Sequence, residues 1–343
     1  MSQLRKDLIS GRWVIIASER SKRPDDFRSG GAAKPEVPGT FCPFCAGNET
    51  KTPPEVYALR QAGTSADQPG WRVRVVPNKF PALDRGEKCQ RLVEGVFESM
   101  TGIGVHEVII ESPDHGVELS DLPLPHLGEV LETYQARIRS IESEKQYQYV
   151  QVFKNKGREA GASLSHPHSQ IVATPIIPKR IKEELYGADR LFKKLDGCVF
   201  CRIVAQELRL AKRVVAQNSA FCAIAPFAPR FPFEVHIYPL RHSAHFAAIT
   251  SDEIASFASV LKTVLLKLKA LLSDPPYNIV LHQAPNPGLS GGTWPALSKE
   301  YHWHIEILPV LTRVAGFELG TGFYINPVPP EAAAEFLAGQ EIS

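Results

Sequence analysis

The chain lacks the features that mark membrane-spanning and exported proteins. No apolar run is long enough to cross a bilayer, and the first residues contain no apolar stretch of the kind found in secretory leaders. Cysteine is scarce, with 6 in 343 residues, and a chain of this length can bury a full core without disulfides. We therefore expect a cytoplasmic protein with reduced thiols and no membrane partner.

An excess of positive charge is also absent. The formal net charge is +2 and 22% of the residues are charged, so no broad basic surface is expected. Nucleic-acid-binding domains usually carry such a surface. The composition therefore argues against nucleic acid as a partner.

Four of the six cysteines are paired at a spacing typical of zinc sites. They form Cys42-Pro43-Phe44-Cys45 and Cys198-Val199-Phe200-Cys201. Zinc is the favoured interpretation, and a thioredoxin-like redox pair or simple buried thiols are the alternatives. Cys89 and Cys222 stand alone and receive no assignment.

The most informative segment is His166-Pro167-His168, which lies in the run from Gly161 to Gln170. Imidazole is a competent nucleophile near neutral pH and can hold a transferred phosphoryl group. The ring of Pro167 fixes φ between the two histidines, while Gly161 and Gln170 can donate hydrogen bonds to phosphate oxygens. Two histidines at this spacing are also found as metal ligands or as ordinary polar residues. The segment as a whole favours a histidine that attacks phosphorus.

The same series of motifs occurs twice along the chain. In each half a cysteine pair is followed by a strand that ends near a histidine, an amphipathic helix and a His-x-His segment. The strand blocks are His106 to His115 and Phe233 to His242, and the second His-x-His segment is His302-Trp303-His304. We therefore predict an α+β fold of two duplicated units, each an antiparallel sheet with packed helices, over residues 1–185 and 186–343.

One amphipathic helix is predicted at the corresponding place in each repeat. The helices have apolar residues at helical spacing: Leu127, Val130, Leu131, Tyr134, Ile138 and Ile141 in the first, and Ile254, Phe257, Leu261, Val264, Leu265 and Leu268 in the second. The second begins with the capping box Thr250-x-x-Glu253. The stretch between Pro178 and Gly197 has the pattern of a charged helix rather than a flexible linker, so the two units are expected to interdigitate.

Each repeat offers four nitrogen and sulfur ligands, which is the closed set of a structural zinc site. The first set is Cys42, Cys45, His115 and His166, and by symmetry the second is Cys198, Cys201, His242 and His302. A zinc ion on His166 would hold His168 at a fixed distance from a rigid anchor, which favours a preorganised nucleophile. The metal would then organise the site rather than perform the chemistry.

Several motifs, in this order, resemble the galactose-1-phosphate uridylyltransferase family, a branch of the histidine-triad superfamily. The resemblance runs nearly end to end. The segments that carry it are Gly11-Arg12-Trp13-Val14, Arg20-Ser21-Lys22-Arg23-Pro24, Cys42-Pro43-Phe44-Cys45, Ser112-Pro113-Asp114-His115, Phe153-Lys154-Asn155-Lys156-Gly157 and His166-Pro167-His168-Ser169-Gln170. It implies histidine-triad-like units and a homodimer. It also implies ping-pong transfer of a nucleoside monophosphate from a nucleotide sugar to a sugar 1-phosphate through a nucleotidyl-histidine.

The resemblance also implies roles for single residues. His168 matches the nucleophile and Gln170 the glutamine that stabilises the intermediate. The residues that match substrate contacts are Arg20 and Arg23 near the substrate phosphates, Asn78 in the nucleoside pocket, Asn155, Gly161 and Ser163 at phosphate, and Glu318 at a hexose hydroxyl. Some relatives hold a different second metal, and this chain retains candidate ligands for it, such as iron, in Glu184, His282, His302 and His304. The cysteine set is favoured because thiolates at this spacing prefer zinc.

The resemblance leaves more than one reaction open. UDP-glucose and galactose 1-phosphate are the working substrates, while the stretch from Gly316 to Pro327 resembles ADP-glucose phosphorylases, which form an adenylyl-histidine and release it to inorganic phosphate. A histidine-triad hydrolase would pass the nucleotidyl group to water, but Pro167 and Ser169 interrupt its usual alternation of histidine and apolar residues. A zinc-stabilised binding protein would leave Ser163, His168 and Gln170 without a role.

Overall fold

The computed structural model describes residues 1–17, 19, 23–30, 41–86, 89–289 and 294–342. The strands in these ranges are β1 Gln3–Lys6, β2 Trp13–Ile16, β3 Tyr57–Arg60, β4 Trp71–Pro77, β5 Arg91–Glu94, β6 Phe97–Met100, β7 Val105–Ile110, β8 Tyr149–Lys156, β9 His168–Thr174, β10 Val214–Gln217, β11 Phe221–Ile224, β12 Val235–Pro239, β13 Tyr277–His282, β14 His304–Pro309 and β15 Tyr324–Asn326. The α-helices are α1 Leu124–Ser143, α2 Lys179–Leu195, α3 Val199–Leu210, α4 Ser251–Leu272, α5 Leu297–Glu300, α6 Gly316–Thr321 and α7 Pro330–Ala338. Short 3₁₀ helices cover Pro24–Gly30, Glu49–Lys51, Arg158–Ala160 and Phe246–Ala248.

Ten of the described strands form one continuous sheet in the order β10-β11-β12-β14-β13-β8-β9-β7-β4-β3. All neighbours in it are antiparallel, and the two halves meet where β13 pairs with β8. Read outward from that pairing, each half contributes its strands in the same order, so that β9 corresponds to β14 and β7 to β12. The predicted α+β fold with duplicated antiparallel units is therefore confirmed. The division between residues 185 and 186 stays a prediction.

One face of the large sheet is covered by the two predicted amphipathic helices. The predicted apolar stripes of α1 and α4 are all buried, and the two helices pack against each other. The capping box at Thr250 and Glu253 is present, because Glu253 N donates to the Thr250 side chain and Thr250 N to the Glu253 carboxylate. Side chains alternate between the faces of a strand, so Ile171 and Ala173 of β9 join this core while His168 and Gln170 lie on the other face.

The other face of the sheet is covered differently in the two halves. In the second half it is covered by α2 and α3, where Leu185 and Phe200 pack against Cys222 and Tyr238 of the sheet. The charged helix predicted between Pro178 and Gly197 is α2, and it belongs to this layer. In the first half the same face carries His168.

No described helix combines the length and the hydropathy needed to cross a bilayer.

Two small sheets lie outside the main one. β1, β2 and β15 form a three-stranded sheet in which β15 runs parallel to β2, which ties the end of the chain to its beginning. β5 and β6 form a two-stranded hairpin.

Candidate active site

The first cysteine–histidine set comes together near the start of β9. Cys42 and Cys45, from the loop before β3, each place Sγ 3.6 Å from His166 Nδ1, and Cys45 Sγ is 3.4 Å from His115 Nδ1. A tetrahedral zinc site with Zn–S near 2.3 Å and Zn–N near 2.1 Å separates its ligand atoms by about 3.4–3.8 Å. His166 Nε2 donates to the Ser112 carbonyl at 2.8 Å, the kind of contact that orients a metal-bound imidazole. The residues therefore fit a zinc ion.

The second set repeats this arrangement in the other half. Cys201 Sγ lies 3.3 Å from His242 Nδ1 and 3.4 Å from His302 Nδ1, and Cys198 completes the cluster. The Nε2 atoms of the two histidines donate to backbone carbonyls, from His242 to Ser298 at 2.9 Å and from His302 to Pro239 at 3.0 Å. This set has the same donor types and the same backbone support as the first, so it fits zinc equally well.

The alternative ligands for a second metal are only partly gathered. Glu184, His282 and His304 lie together, with Glu184 Oε2 3.0 Å from His282 Nδ1. His302 is not in that group, because its Nδ1 faces Cys201 and its Nε2 faces a backbone carbonyl. Neither ring nitrogen of His302 therefore faces Glu184, His282 or His304.

His168 is the first residue of β9 and follows the His166 cluster directly. It is 6% exposed, and its Nδ1 donates to the His166 carbonyl at 2.8 Å. A proton on Nδ1 leaves the lone pair on Nε2, which has no hydrogen-bond partner among the described residues. Burial lowers the pKa of His168 and so favours the neutral imidazole. The ring edge of Phe44 packs against it, with centroids 5.4 Å apart. His168 is thus oriented as a nucleophile must be.

Gln170 is held by a histidine that the sequence does not mark as a site residue. Ala82 N donates to His106 Nδ1 at 3.1 Å, so the proton is on Nε2 and is donated to Gln170 Oε1 at 2.8 Å. The side-chain NH₂ of Gln170 is then left to donate to another acceptor. Asn78 Nδ2 lies 3.1 Å from the same His106 Nε2, so the predicted nucleoside residue lies near Gln170. A polar residue on a buried strand is the only signal for His106 in the sequence.

The loop between β8 and β9 brings two predicted phosphate residues together. Asn155 Oδ1 accepts a hydrogen bond of 2.8 Å from Asn278 on the neighbouring strand β13, which leaves the Asn155 NH₂ available. Gly161 has a φ of +92°, and a Cβ at this position would lie 3.6 Å from Asn155 Nδ2. Ser163 is exposed on the same loop. Asn278, contributed by the other half, is a second residue that the sequence did not identify.

A buried polar network lies on the helix-covered face of the sheet, on the opposite side of β9 from His168. Ser169 Oγ donates to Glu111 Oε1 and accepts from Tyr134 OH at 2.5 Å. Lys154 Nζ donates to Glu111 Oε2 at 2.7 Å and lies 3.3 Å from Glu118. Burial alone would lower the pKa of Lys154, but the two carboxylates raise it, so the ammonium stays charged. The network anchors β9 between His168 and Gln170.

The remaining predicted substrate residues lie apart from His168 or outside the described ranges. Arg23 is exposed, and its backbone N donates to Asp26 at 2.7 Å. Glu318 accepts from Ala315 N at 3.1 Å and so closes the first turn of α6, which lies against β15. Arg20 falls outside the described residues. The roles of these three residues at the substrate stay predictions.

Comparison with known proteins places the chain in a family. Residues 1–178 match the galactose-1-phosphate uridyl transferase N-terminal domain, and residues 129–339 match a domain of unknown function. The chain is 37% identical to ADP-glucose phosphorylase of Arabidopsis thaliana over 98% of this chain and 92% of that protein. It is 32% identical to galactose-1-phosphate uridylyltransferase of Thermotoga maritima over 100% of this chain and 99% of that protein.

Solved structures agree with these matches. The crystal structure of the Arabidopsis thaliana ADP-glucose phosphorylase with bound ADP-glucose superposes with a TM-score of 0.83 at 34% identity, covering 100% of both chains. A uridylyltransferase structure gives a TM-score of 0.74 at 32% identity, covering 98% of this chain and 97% of that one. Fold and similarity together define a nucleotidyltransferase. The chain belongs to the galactose-1-phosphate uridyl transferase family, as its motifs predicted.

Proposed function

We propose that the chain transfers a nucleoside monophosphate from a nucleotide sugar to a phosphorylated acceptor through a nucleotidyl-His168 intermediate. The observation that carries this proposal is the pair formed by His168 and Gln170. The lone pair of His168 Nε2 and the NH₂ group of Gln170 are both unpartnered among the described residues, on the same face of β9. A nucleophile and a donor for phosphoryl oxygens thus stand side by side.

In the first half-reaction, His168 Nε2 attacks the α-phosphorus of the nucleotide sugar. A P–N bond forms, and the bond from the α-phosphorus to the bridging oxygen breaks, so that the sugar 1-phosphate leaves with the electron pair. Negative charge develops on the oxygens of the transferred and leaving phosphates, and donors placed there stabilise the transition state more than the ground state. The free NH₂ groups of Gln170 and Asn155 are suited to that task.

The second half-reaction runs the same chemistry in reverse. A phosphate oxygen of the acceptor attacks the α-phosphorus, the P–N bond breaks and neutral His168 is restored. The proton stays on Nδ1, which donates to the His166 carbonyl throughout, so the nucleophilic atom is the same in every cycle. The polar network under Ser169 keeps the strand in place between the two steps.

We propose zinc in both cysteine–histidine sets. Zinc at Cys42, Cys45, His115 and His166 would fix the position of His166, two residues before His168. The same ion at Cys198, Cys201, His242 and His302 would fix the start of β14. In both places zinc supplies structural cross-linking, and His168 performs the chemistry. Iron at Glu184, His282 and His304 is the competing assignment for a second metal.

The working substrates are UDP-glucose and galactose 1-phosphate. The match of residues 1–178 to the uridyl transferase domain and the similarity to the Thermotoga maritima enzyme over the whole chain support this pair. A second candidate, ADP-glucose with inorganic phosphate as acceptor, is supported by the 37% identity to ADP-glucose phosphorylase. The base pocket beside Asn78 is the point at which the candidates differ, because a wrong base leaves buried donors or acceptors unpaired at about 1–3 kcal/mol each. We further propose a cytoplasmic homodimer.

The burst of glucose 1-phosphate on mixing enzyme with UDP-glucose or with ADP-glucose separates the two candidates. A preference for UDP-glucose, with galactose 1-phosphate as the faster acceptor, supports the working pair. A preference for ADP-glucose, with inorganic phosphate as the faster acceptor, identifies the phosphorylase reaction and preserves the histidine mechanism. Hydrolysis to free nucleotide without any acceptor would contradict both.

A further inference from the structure

The second half of the sheet carries a cavity of about 490 Å³ on the face that corresponds to the His168 site. Ligand cavities commonly enclose about 300–1,000 Å³. His304 begins β14 as His168 begins β9, and Glu306 stands two residues further on, as Gln170 does. α2, α3 and residues 6–12 close the space over these strands. The duplication therefore leaves a second enclosed space where the first half has its candidate active site.

The histidine of this second space is oriented like the nucleophile. His304 Nδ1 donates to the His302 carbonyl at 3.1 Å, as His168 Nδ1 does to His166 at 2.8 Å. His304 differs from His168 in its surroundings, because a ring nitrogen of His304 lies within 4.8 Å of ligand atoms of Glu184 and His282. The second space thus repeats the framework of the first, but a carboxylate and a second imidazole crowd its histidine, which favours binding rather than group transfer.

One of the cations that line the cavity, Arg12, is not paired with a carboxylate in the described part of the chain. Arg180 and Arg230 both pair with Glu306. Arg12 has no carboxylate within 4.0 Å among the described residues, and its Nε is buried with no hydrogen-bond partner. Burial, Arg230 and Arg180 lower the pKa of Arg12, and the more distant carboxylates of Asp7 and Glu234 offset part of this shift. An anion beside Arg12 would neutralise the guanidinium.

A second unpaired group indicates the other end of the ligand. Glu207 is 3% exposed and its Oε1 accepts from Arg213 at 2.7 Å, while its Oε2 is buried without a partner. A ligand N–H or O–H would satisfy it. Phe200, Ile203 and Phe227 are apolar residues that also line the cavity. The cavity therefore suits a molecule with an anionic group, a flat apolar body and a hydrogen-bond donor.

We propose that this cavity binds a nucleoside monophosphate, with the phosphate at Arg12, the base against Phe200 and a base or ribose donor at Glu207 Oε2. A long-chain carboxylate lacks the donor, and inorganic phosphate lacks the apolar body. The inference does not depend on nucleotidyl transfer at His168, since the two sites lie on different halves of the sheet.

Hydrogen–deuterium exchange of the full-length protein with AMP, UMP or inorganic phosphate tests the proposal. A nucleoside monophosphate should protect peptides covering residues 6–12 and 199–207, in addition to any protection near His168, and inorganic phosphate alone should not. Arg12→Gln should weaken this second binding event by about tenfold or more, as loss of a charged hydrogen bond does, and leave nucleotidyl transfer unchanged. Ile203→Trp, which fills the cavity, should remove the same protection.

The matched control is Arg72→Gln, which removes an exposed guanidinium paired with Glu129 in the first half. It should leave protection of residues 6–12 and 199–207 intact. Protection by nucleotides confined to the His168 region would overturn the proposal, as would protection in the second half that survives both cavity variants. Equal protection by inorganic phosphate and by AMP would also overturn it.

Discussion

The buried ion pair between Lys154 and Glu111, beside β9, gives a sharp test of how the strand that carries His168 is held. Lys154 is 2% exposed, and Glu111 is fully buried. Lys154→Met removes the ammonium and leaves Glu111 as an uncompensated buried charge, which costs about 3–5 kcal/mol. The entropy of unfolding is about 2.1 cal/mol/K per residue, or about 0.7 kcal/mol/K for 343 residues. The expected fall in Tm is therefore about 4–7 °C.

Differential scanning calorimetry with metal retained measures this shift. Lys193→Met is the matched control, because Lys193 also binds a carboxylate, Asp189 at 2.7 Å, but on the exposed surface of α2, where such pairs contribute little. Its Tm should match the wild type. The double variant Lys154→Met/Glu111→Leu should recover much of the loss, because both charges are then gone. A Lys154→Met variant as stable as the control would refute the assignment of a buried charge pair to this network.

Three further predictions concern the two zinc sites, His106, which contacts Gln170, and Gly161 in the loop between β8 and β9. Elemental analysis should find two zinc ions per chain, and Cys42→Ser and Cys198→Ser should each remove one; a count that neither variant changes would contradict the assignment. His106→Phe removes the hydrogen bond that orients the Gln170 amide. It should lower kcat by about 10- to 100-fold with little change in KM, because His106 orients Gln170 and does not itself contact substrate. An unchanged kcat would count against a positioning role for His106. Gly161→Ala should lower the free energy of unfolding by about 1–3 kcal/mol, because φ is +92° at this position. The control is Gly316→Ala, where φ is not positive and a Cβ would meet open space. Equal shifts in Tm for the two variants would argue against backbone strain at Gly161.

Much of the fold could be predicted because its signals are local and occur twice. The apolar stripes of α1 and α4 and the capping box at Thr250 each depend on residues within one helix. The pairing of β13 with β8, which joins the halves into one sheet, could not be predicted. Strand pairing between distant segments depends on register and on the edges left open by other strands, and neither is visible in a short window of sequence.

The site was predictable where residue chemistry is concentrated in a short motif. The spacing of the two histidines in His166-Pro167-His168 is visible in the sequence. His106 contacts Gln170 only because β7 pairs with β9 in a register that places Val108 opposite Gln170. Lys154 is a similar case. A lysine in a strand ordinarily indicates a solvated face, but Lys154 follows Val150 and Val152 on the core face, where Glu111 neutralises it.

The most direct test of the central claim is the site of the covalent intermediate. Enzyme mixed with a labelled nucleotide sugar, in the absence of acceptor, should gain one nucleotidyl group per chain, and peptide mass spectrometry should locate it on His168. His168→Gly should fold, keep its metal content and gain no label. A labelled adduct in His168→Gly, or wild-type turnover with no adduct at any stage, would contradict the mechanism.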